Sequence, residues 1–358
     1  MASPLDASLS TRATKTNLQQ WRRIRGVLPG LLVAVIVALA AAFVSGHYGG
    51  PKFLYALLMG MSLHFLADHP RCGAGIEFGA RTLVRLGVAL LGARIALGDV
   101  QALGASGVAW LTGGVMLTIG FGLLMAKLLR LPTRFGLISG GATGICGISA
   151  ALAIASALPR DGQTEQQMLM TAVGVAALST VAMMLYPLAV SLLHLNVGQA
   201  GLFLGGAIHD VAQVVGAGNI VSPEVAQSAT LAKMFRVAML VPVVLCVALL
   251  FRSSPPTPAS APRAHRPTLL PGFLLVFIAL VAINSFGAVP VAAQSLAAGV
   301  STWALTIAIA ALGVKTSFAE IAQLGWRPLA LLVSEAAFIA LLMLLATRWH
   351  GVAVVTAA

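Results

Sequence analysis

Charge is what this sequence has least of. Only 9% of its 358 residues are Asp, Glu, Lys or Arg, roughly a third of the ~25% usual in soluble domains, which excludes an ordinary soluble enzyme. Acids are the scarcer sign, 10 against 22 Lys and Arg. Cysteine is nearly absent. The three present, Cys72, Cys146 and Cys246, show no C-x-x-C spacing, which excludes a disulfide framework or a zinc site and leaves packing as their role. No G-K-[ST] completes a Walker loop and no G-x-G-x-x-G follows a strand, so no nucleotide is implied. G-x-S-x-G and H-E-x-x-H are also missing, which argues against an enzyme; an intramembrane enzyme using Ser149 or Cys146 with His209 is a further alternative. No metal and no cofactor are expected.

What is present is 59% hydrophobic residues, gathered into repeated runs close to the ~20 residues that a spanning helix needs. The runs fall near 27–45, 53–67, 83–98, 105–126, 136–158, 168–193, 200–219, 226–251, 269–287, 294–314 and 328–346, which predicts eleven transmembrane helices. The first run is longer than the roughly 7 to 15 apolar residues of a signal peptide. With the polar residues 1–26 in the cytoplasm and sides alternating, 16 of the 22 basic residues are cytoplasmic, four lie opposite, and Lys233 and Arg236 fall within a span. That asymmetry puts the N-terminus inside and the C-terminus outside. The net charge of +12 therefore reports orientation, not nucleic-acid binding. Prolines at 255, 256, 258, 262 and 267 predict a flexible linker over 252–268, separating eight spans (27–251) from three (269–346), with a short tail at 347–358.

Residues 91–104 and 312–325 read L-G-x-[RK]-x-x-[LF]-x-[DE]-[VI]-x-x-L-G in both copies, in one register without a gap. Each copy closes one apolar run and opens the next. They lie seven spans apart, an odd number, so the copies have opposite topology, as in the inverted repeats of secondary transporters.

Two runs are interrupted by small residues. Residues 139–149 (SGGATGICGIS) hold four glycines and three hydroxyl residues, and Gly205-Gly206 and Gly216-Ala217-Gly218 bracket the seventh run. Glycine costs about 1 kcal/mol relative to Ala inside a helix, and unwound backbone at membrane depth is tolerated only where protein buries it or it lines a cavity. The free amides at a half-helix N-terminus suit an anion. Close packing is the alternative reading, strongest for the seventh run.

Away from the span ends, intramembrane charge is confined to Asp210, Lys233, Arg236 and Glu335, with His209, His64 and Asn284 as further polar members. Lys233 and Arg236 share a helix face with Thr230, an oxyanion-binding combination in which the guanidinium can act as a bidentate donor. The alternative is that Asp210 and Glu335 neutralise them as structural ion pairs. His209 and Gln213, four apart, also share a face, and His209 is suited to carrying protons near neutral pH.

At these residues the sequence resembles the YeiH-type sulfate exporters, uncharacterised protein family 0324. The resemblance runs through GGATGICGISAA at 140–151, IHDVAQVVGAG at 208–218, Ser222-Pro223, AKMFR at 232–236, Asn284-Ser285-Phe286 and the two L-G repeat copies. It covers roughly residues 27–346. It implies a multi-pass inner-membrane protein of the superfamily that holds cation:proton antiporters, and export of sulfate or a related sulfur oxyanion.

The expectation is thus an all-α polytopic membrane protein, antiporter-like, with an inverted repeat and interrupted helices. Lys233, Arg236, Thr143, Ser149, Gly144 and Gly147 are expected to bind a small inorganic or organic anion, with Asp210, His209, Gln213 and Glu335 coupling or gating. A sodium- or proton-coupled cation antiporter, with Asp210 as cation ligand, is the runner-up. The expected partners are the anion, a coupling proton or sodium ion and the lipid bilayer, with no nucleic acid; a homo-oligomer is compatible with the sequence.

Overall fold

The computed structural model describes residues 4–49, 51–95, 98, 101, 103–158, 162–251, 272–287, 289–316 and 325–349. In chain order the helices are α1 (Pro4–Tyr48), α2 (Lys52–Ser62), α3 (Gly73–Phe78), α4 (Val84–Leu91), α5 (Gly104–Leu128), α6 (Thr133–Gly144), α7 (Ile148–Ala157), α8 (Gly162–Leu192), α9 (Val197–Ala207), α10 (Val211–Val221), α11 (Pro223–Ala238), α12 (Leu240–Leu250), α13 (Gly272–Ser285), α14 (Val291–Lys315) and α15 (Trp326–Trp349). The described residues contain no strand. The proline-rich linker and the C-terminal tail beyond Trp349 lie outside them.

Among the described residues, six segments are long and apolar enough to cross a membrane: Gly26–Tyr48 of α1, α5, α8, α11 with α12, α14 and α15. Several expected spans take a shorter form. Run 136–158 is two helices, α6 and α7, parted at Ile145–Gly147, and run 200–219 is α9 and α10, parted at Ile208–Asp210. Run 53–67 becomes α2 and a 3-10 turn, and run 83–98 shortens to α4 with turns on either side. Met239 interrupts run 226–251 between α11 and α12 because Pro242, in the first turn of α12, has no N–H to offer Ala238 and crowds its carbonyl. The polar N-terminus, expected as a tail, joins α1, since no Gly or Pro occurs between residues 5 and 25 to stop it.

Polarity is arranged inside out. Ile36, Phe43, Leu124, Leu185 and Leu245 are exposed, while Thr118, Ser139, Gln213, Lys233, Arg236 and Glu335 are buried, as expected where the surrounding solvent is hydrocarbon.

The described chain forms two compact units, one of residues 1–84 with 306–315, the other of 85–305 with 316–358. In the first, α1 packs on α2 and α3. Glu77 pairs with Arg81 and with Lys315 of the second repeat copy, and His64 Nδ1 lies 2.8 Å from the Val314 carbonyl. So His64 is a packing residue with a backbone partner. In the second unit, α5 lies along α6, and α9 and α10 lie along α11. Glycines allow these close approaches: a Cβ at Gly205 would overlap the Ala229 carbonyl of α11, and one at Gly136 would overlap the Gly122 carbonyl of α5.

The central acids of the repeat copies, Asp99 and Glu320, are not among the described residues, but the ends of both copies are. Each final glycine has a left-handed backbone, φ +65° at Gly104 and +79° at Gly325, and each stands at the start of a long helix, α5 or α15. The repeat thus records the same chain entry twice. Neither site is crowded: a Cβ would come no closer than 3.9 Å to Ser106 Oγ or 4.0 Å to Pro328 Cδ. Gly104→Ala and Gly325→Ala are therefore each expected to cost about 1–2 kcal/mol through backbone conformation alone, read as matching losses in thermal unfolding of the detergent-solubilised protein; a loss at one position only would break the equivalence.

Candidate functional site

Ending a helix inside a membrane leaves its last carbonyls without partners, and each costs several kcal/mol if it stays so. Here two helices end in the protein interior, α6 at Gly144 and α9 at Ala207. The donors they need come from one face of α11.

Arg236 Nε donates to Gly144 O at 2.8 Å, Nη1 to Gly206 O at 2.6 Å, Gly205 O at 3.1 Å and Ile208 O at 3.3 Å, and Nη2 to Thr143 O at 2.8 Å and again to Gly144 O. A guanidinium has five N–H groups, and these bonds engage every one. Lys233 Nζ donates to Ile145 O at 2.7 Å and Ile208 O at 2.8 Å, which leaves one ammonium N–H with no acceptor among the described residues. Each half-helix C-terminus carries about half a negative charge, so two buried cations sit against two negative helix ends. Thr230, the third member of the expected oxyanion face, spends its hydroxyl on Ala226 O of its own helix.

The two interruptions touch. His209 Nδ1 lies 3.2 Å from Thr143 O, and a Cβ on Gly147, whose φ is +63°, would stand 3.7 Å from His209 O. Beyond the breaks the chain restarts as α7 and α10, and these N-termini differ. Asp210 caps α10, its Oδ1 accepting from Ala212 N at 2.8 Å, while its own N–H donates to Ser179 Oγ at 3.1 Å. α7 has no side-chain cap and no acid in its first turn. Gln213 Nε2 donates to Thr180 Oγ1 at 3.0 Å. His209 Nε2 and Gln213 Oε1 are buried and have no hydrogen-bond partner.

The ion pairs that stood as the alternative reading, Asp210 and Glu335 with Lys233 and Arg236, do not form. Glu77, away from the crossing, pairs with Arg81 and with Lys315. Asp210 is taken by its capping role and Glu335 by two hydroxyls, Ser139 Oγ at 2.7 Å and Thr143 Oγ1 at 3.2 Å. The physical reason is that the broken-helix carbonyls are nearer claimants for the cations. Thr143, Gly144, Gly147, His209, Asp210, Gln213, Lys233 and Arg236 thus come together at the crossing, and Thr143 joins Glu335 to it. Ser149 is in the first turn of α7 and exposed. Sequence reasoning passed over Ser179, Thr180 and Ser139 as site residues; the adjacent hydroxyls Ser179-Thr180 in the middle of an apolar run were the available signal.

The family model for conserved hypothetical protein 698 matches residues 29–332. The chain belongs to the UPF0324 membrane-protein family. Among its UPF0324 relatives, the membrane protein CT0845 of Chlorobaculum tepidum is 47% identical over 90% of this chain and 89% of its own. TauZ of Paracoccus denitrificans is 48% identical over 88% of this chain and 94% of its own. RB0971 of Rhizobium meliloti is 45% identical over 97% and 99%. No solved structure matches. Within UPF0324, then, this chain is a multi-pass membrane protein whose interrupted helices are stitched by Lys233 and Arg236.

That stitching separates two variants. Arg236→Lys leaves several carbonyls unpaired at about 1–3 kcal/mol each and is expected to lower the thermal midpoint sharply. Asp210→Asn keeps an equally good cap and is expected to stay within about 0.5 kcal/mol of the unmodified protein. Equal losses in the two variants, measured by thermal unfolding in detergent, would restore the ion-pair reading.

Proposed function

We propose that this protein is a secondary transporter, and not an enzyme, that moves a small oxyanion, sulfate or a related sulfur anion, outward across the bacterial inner membrane. On this reading its N-terminus is cytoplasmic, its C-terminus periplasmic, and a proton or sodium ion drives the cycle. The observation that carries the reading is the inequality of the two half-helix N-termini. Asp210 already supplies a carboxylate to α10, whereas α7 starts at Ile148 with neither an acid nor a cap. An open N-terminus presents free amides and about half a positive charge, and it takes an oxyanion without further help. The nearby cations, in ion-pair contact with no carboxylate among the described residues, add a field of the same sign.

The roles then divide. Gly147 gives the chain the turn that exposes the α7 amides, Ser149 adds a hydroxyl in that first turn, and Lys233 has one donor to spare. Arg236, Gly144 and the Thr143 backbone shape the crossing and set its field without touching the anion. His209, Gln213 and Asp210 line the second break as gating groups. The rival, cation antiport through Asp210, is less well supported, because one oxygen of that carboxylate is committed to the cap.

Ser149→Asp is the discriminating variant. An acid in the first turn of α7 is expected to stabilise the helix by about 0.3–1 kcal/mol while occupying and repelling the anion position. Efflux of labelled sulfate from proteoliposomes is expected to fall at least about tenfold, equivalent to ~1.4 kcal/mol, with thermal stability kept. Sulfate flux unchanged in Ser149→Asp, or sodium–proton exchange with no sulfate requirement, would overturn the reading.

A further inference from the structure

Among the described residues of the crossing, Glu335 is the charge without a charged or main-chain partner to hold it. It is fully buried, on a helix long enough to cross the membrane. Its carboxylate accepts from two hydroxyls, Ser139 Oγ at 2.7 Å and Thr143 Oγ1 at 3.2 Å. α5 leaves just enough room: a methyl on Gly122 would overlap Glu335 Oε1. A carboxylate at this depth without a counter-ion is costly. Its partners, however, are of a kind that satisfies both protonation states, since a hydroxyl donates to a carboxylate and accepts from a carboxylic acid. Ser139 has a second acceptor for its own proton, Gly136 O at 3.4 Å, so it can turn from donor to acceptor with every group still paired. A guanidinium in its place would fix the charged state.

The surroundings add no competing charge. Of the helices packed on α15, α5 carries Lys127, α6 carries Arg134, α8 carries Glu165 and Tyr186, and α9 carries no titratable group; α15 itself adds Arg327 and Arg348. None is a hydrogen-bond partner of Glu335, whose described partners are Ser139 and Thr143. The path to the crossing runs through Thr143. Its carbonyl accepts from Arg236 Nη2 at 2.8 Å and lies 3.2 Å from His209 Nδ1, and it sits in the last turn of α6, beside the break.

We propose that Glu335 is the proton-coupling site: it takes up one proton and releases one per transport cycle, and Thr143 transmits the change of charge to the crossing. The inference deepens the oxyanion-transport reading and rests on it for the word coupling, but the proton site itself can be tested separately. Infrared difference spectra between acidic and alkaline pH, on the full-length protein in lipid, are expected to show a protonated-carboxyl C=O band that is lost in Glu335→Gln. Glu335→Asp keeps a carboxyl and shifts the band, which preserves the test if the Gln variant does not fold. In proteoliposomes, sulfate flux through the unmodified protein is expected to vary with pH and that through Glu335→Gln to lose the dependence. The proposal is overturned by an unchanged titrating band in either variant, or by a flux in Glu335→Gln that still follows pH. A band that depends on Glu335 in a protein that moves no sulfate would keep the proton site and remove the anion reading instead.

Discussion

Everything in the larger unit depends on one bargain between a side chain and the backbone. Two helices are broken inside the protein, and the carbonyls at their ends would be intolerable in hydrocarbon. Arg236 and Lys233 take them up, with hydrogen bonds to Thr143, Gly144, Ile145, Gly205, Gly206 and Ile208. A buried cation is ordinarily expensive, and so is a buried unpaired carbonyl; each here relieves the other. Because the guanidinium reaches both helix ends at once, it also fixes their relative position. α11 can lie close enough to do this because Gly205 and Gly218 bring α9 and α10 against it.

The same bargain determines what is left for chemistry. With the C-terminal ends satisfied by cations, and α10 capped by Asp210, the amides that start α7 form the one half-helix terminus at the crossing without a side-chain partner. Two polar atoms still unpaired at the crossing, His209 Nε2 and Gln213 Oε1, belong to the second break. On the proposed function, this small difference in capping gives the crossing its preference for an anion. Glu335 stands one hydrogen-bonded residue away, tied in by Thr143, so a change there reaches the end of α6 without crossing the site.

Much of this was legible in the residues. The glycine clusters marked both interruptions, since four glycines in eleven residues defeat a continuous helix; the repeat marked two equivalent chain entries, seen in the positive φ of Gly104 and Gly325. Lys233 and Arg236 stood out as charges inside an apolar run. Their partners did not. The residues offered an anion first and Asp210 and Glu335 as the alternative, but main-chain carbonyls leave no trace in composition, and which of them a break orphans depends on where helices cross. For the same reason Ser139 and Thr180 read as ordinary hydroxyls: their roles come from contacts with Glu335 and Gln213 far along the chain.

The most direct test is a cryo-electron microscopy map of the protein in lipid nanodiscs, with and without sulfate, at a resolution that shows side chains. Density for Arg236 is predicted to run into the carbonyls of Gly144 and Gly206 in both states, with sulfate adding density only at the start of α7. Arg236 turned onto Asp210, Glu335 or the anion itself would contradict the account.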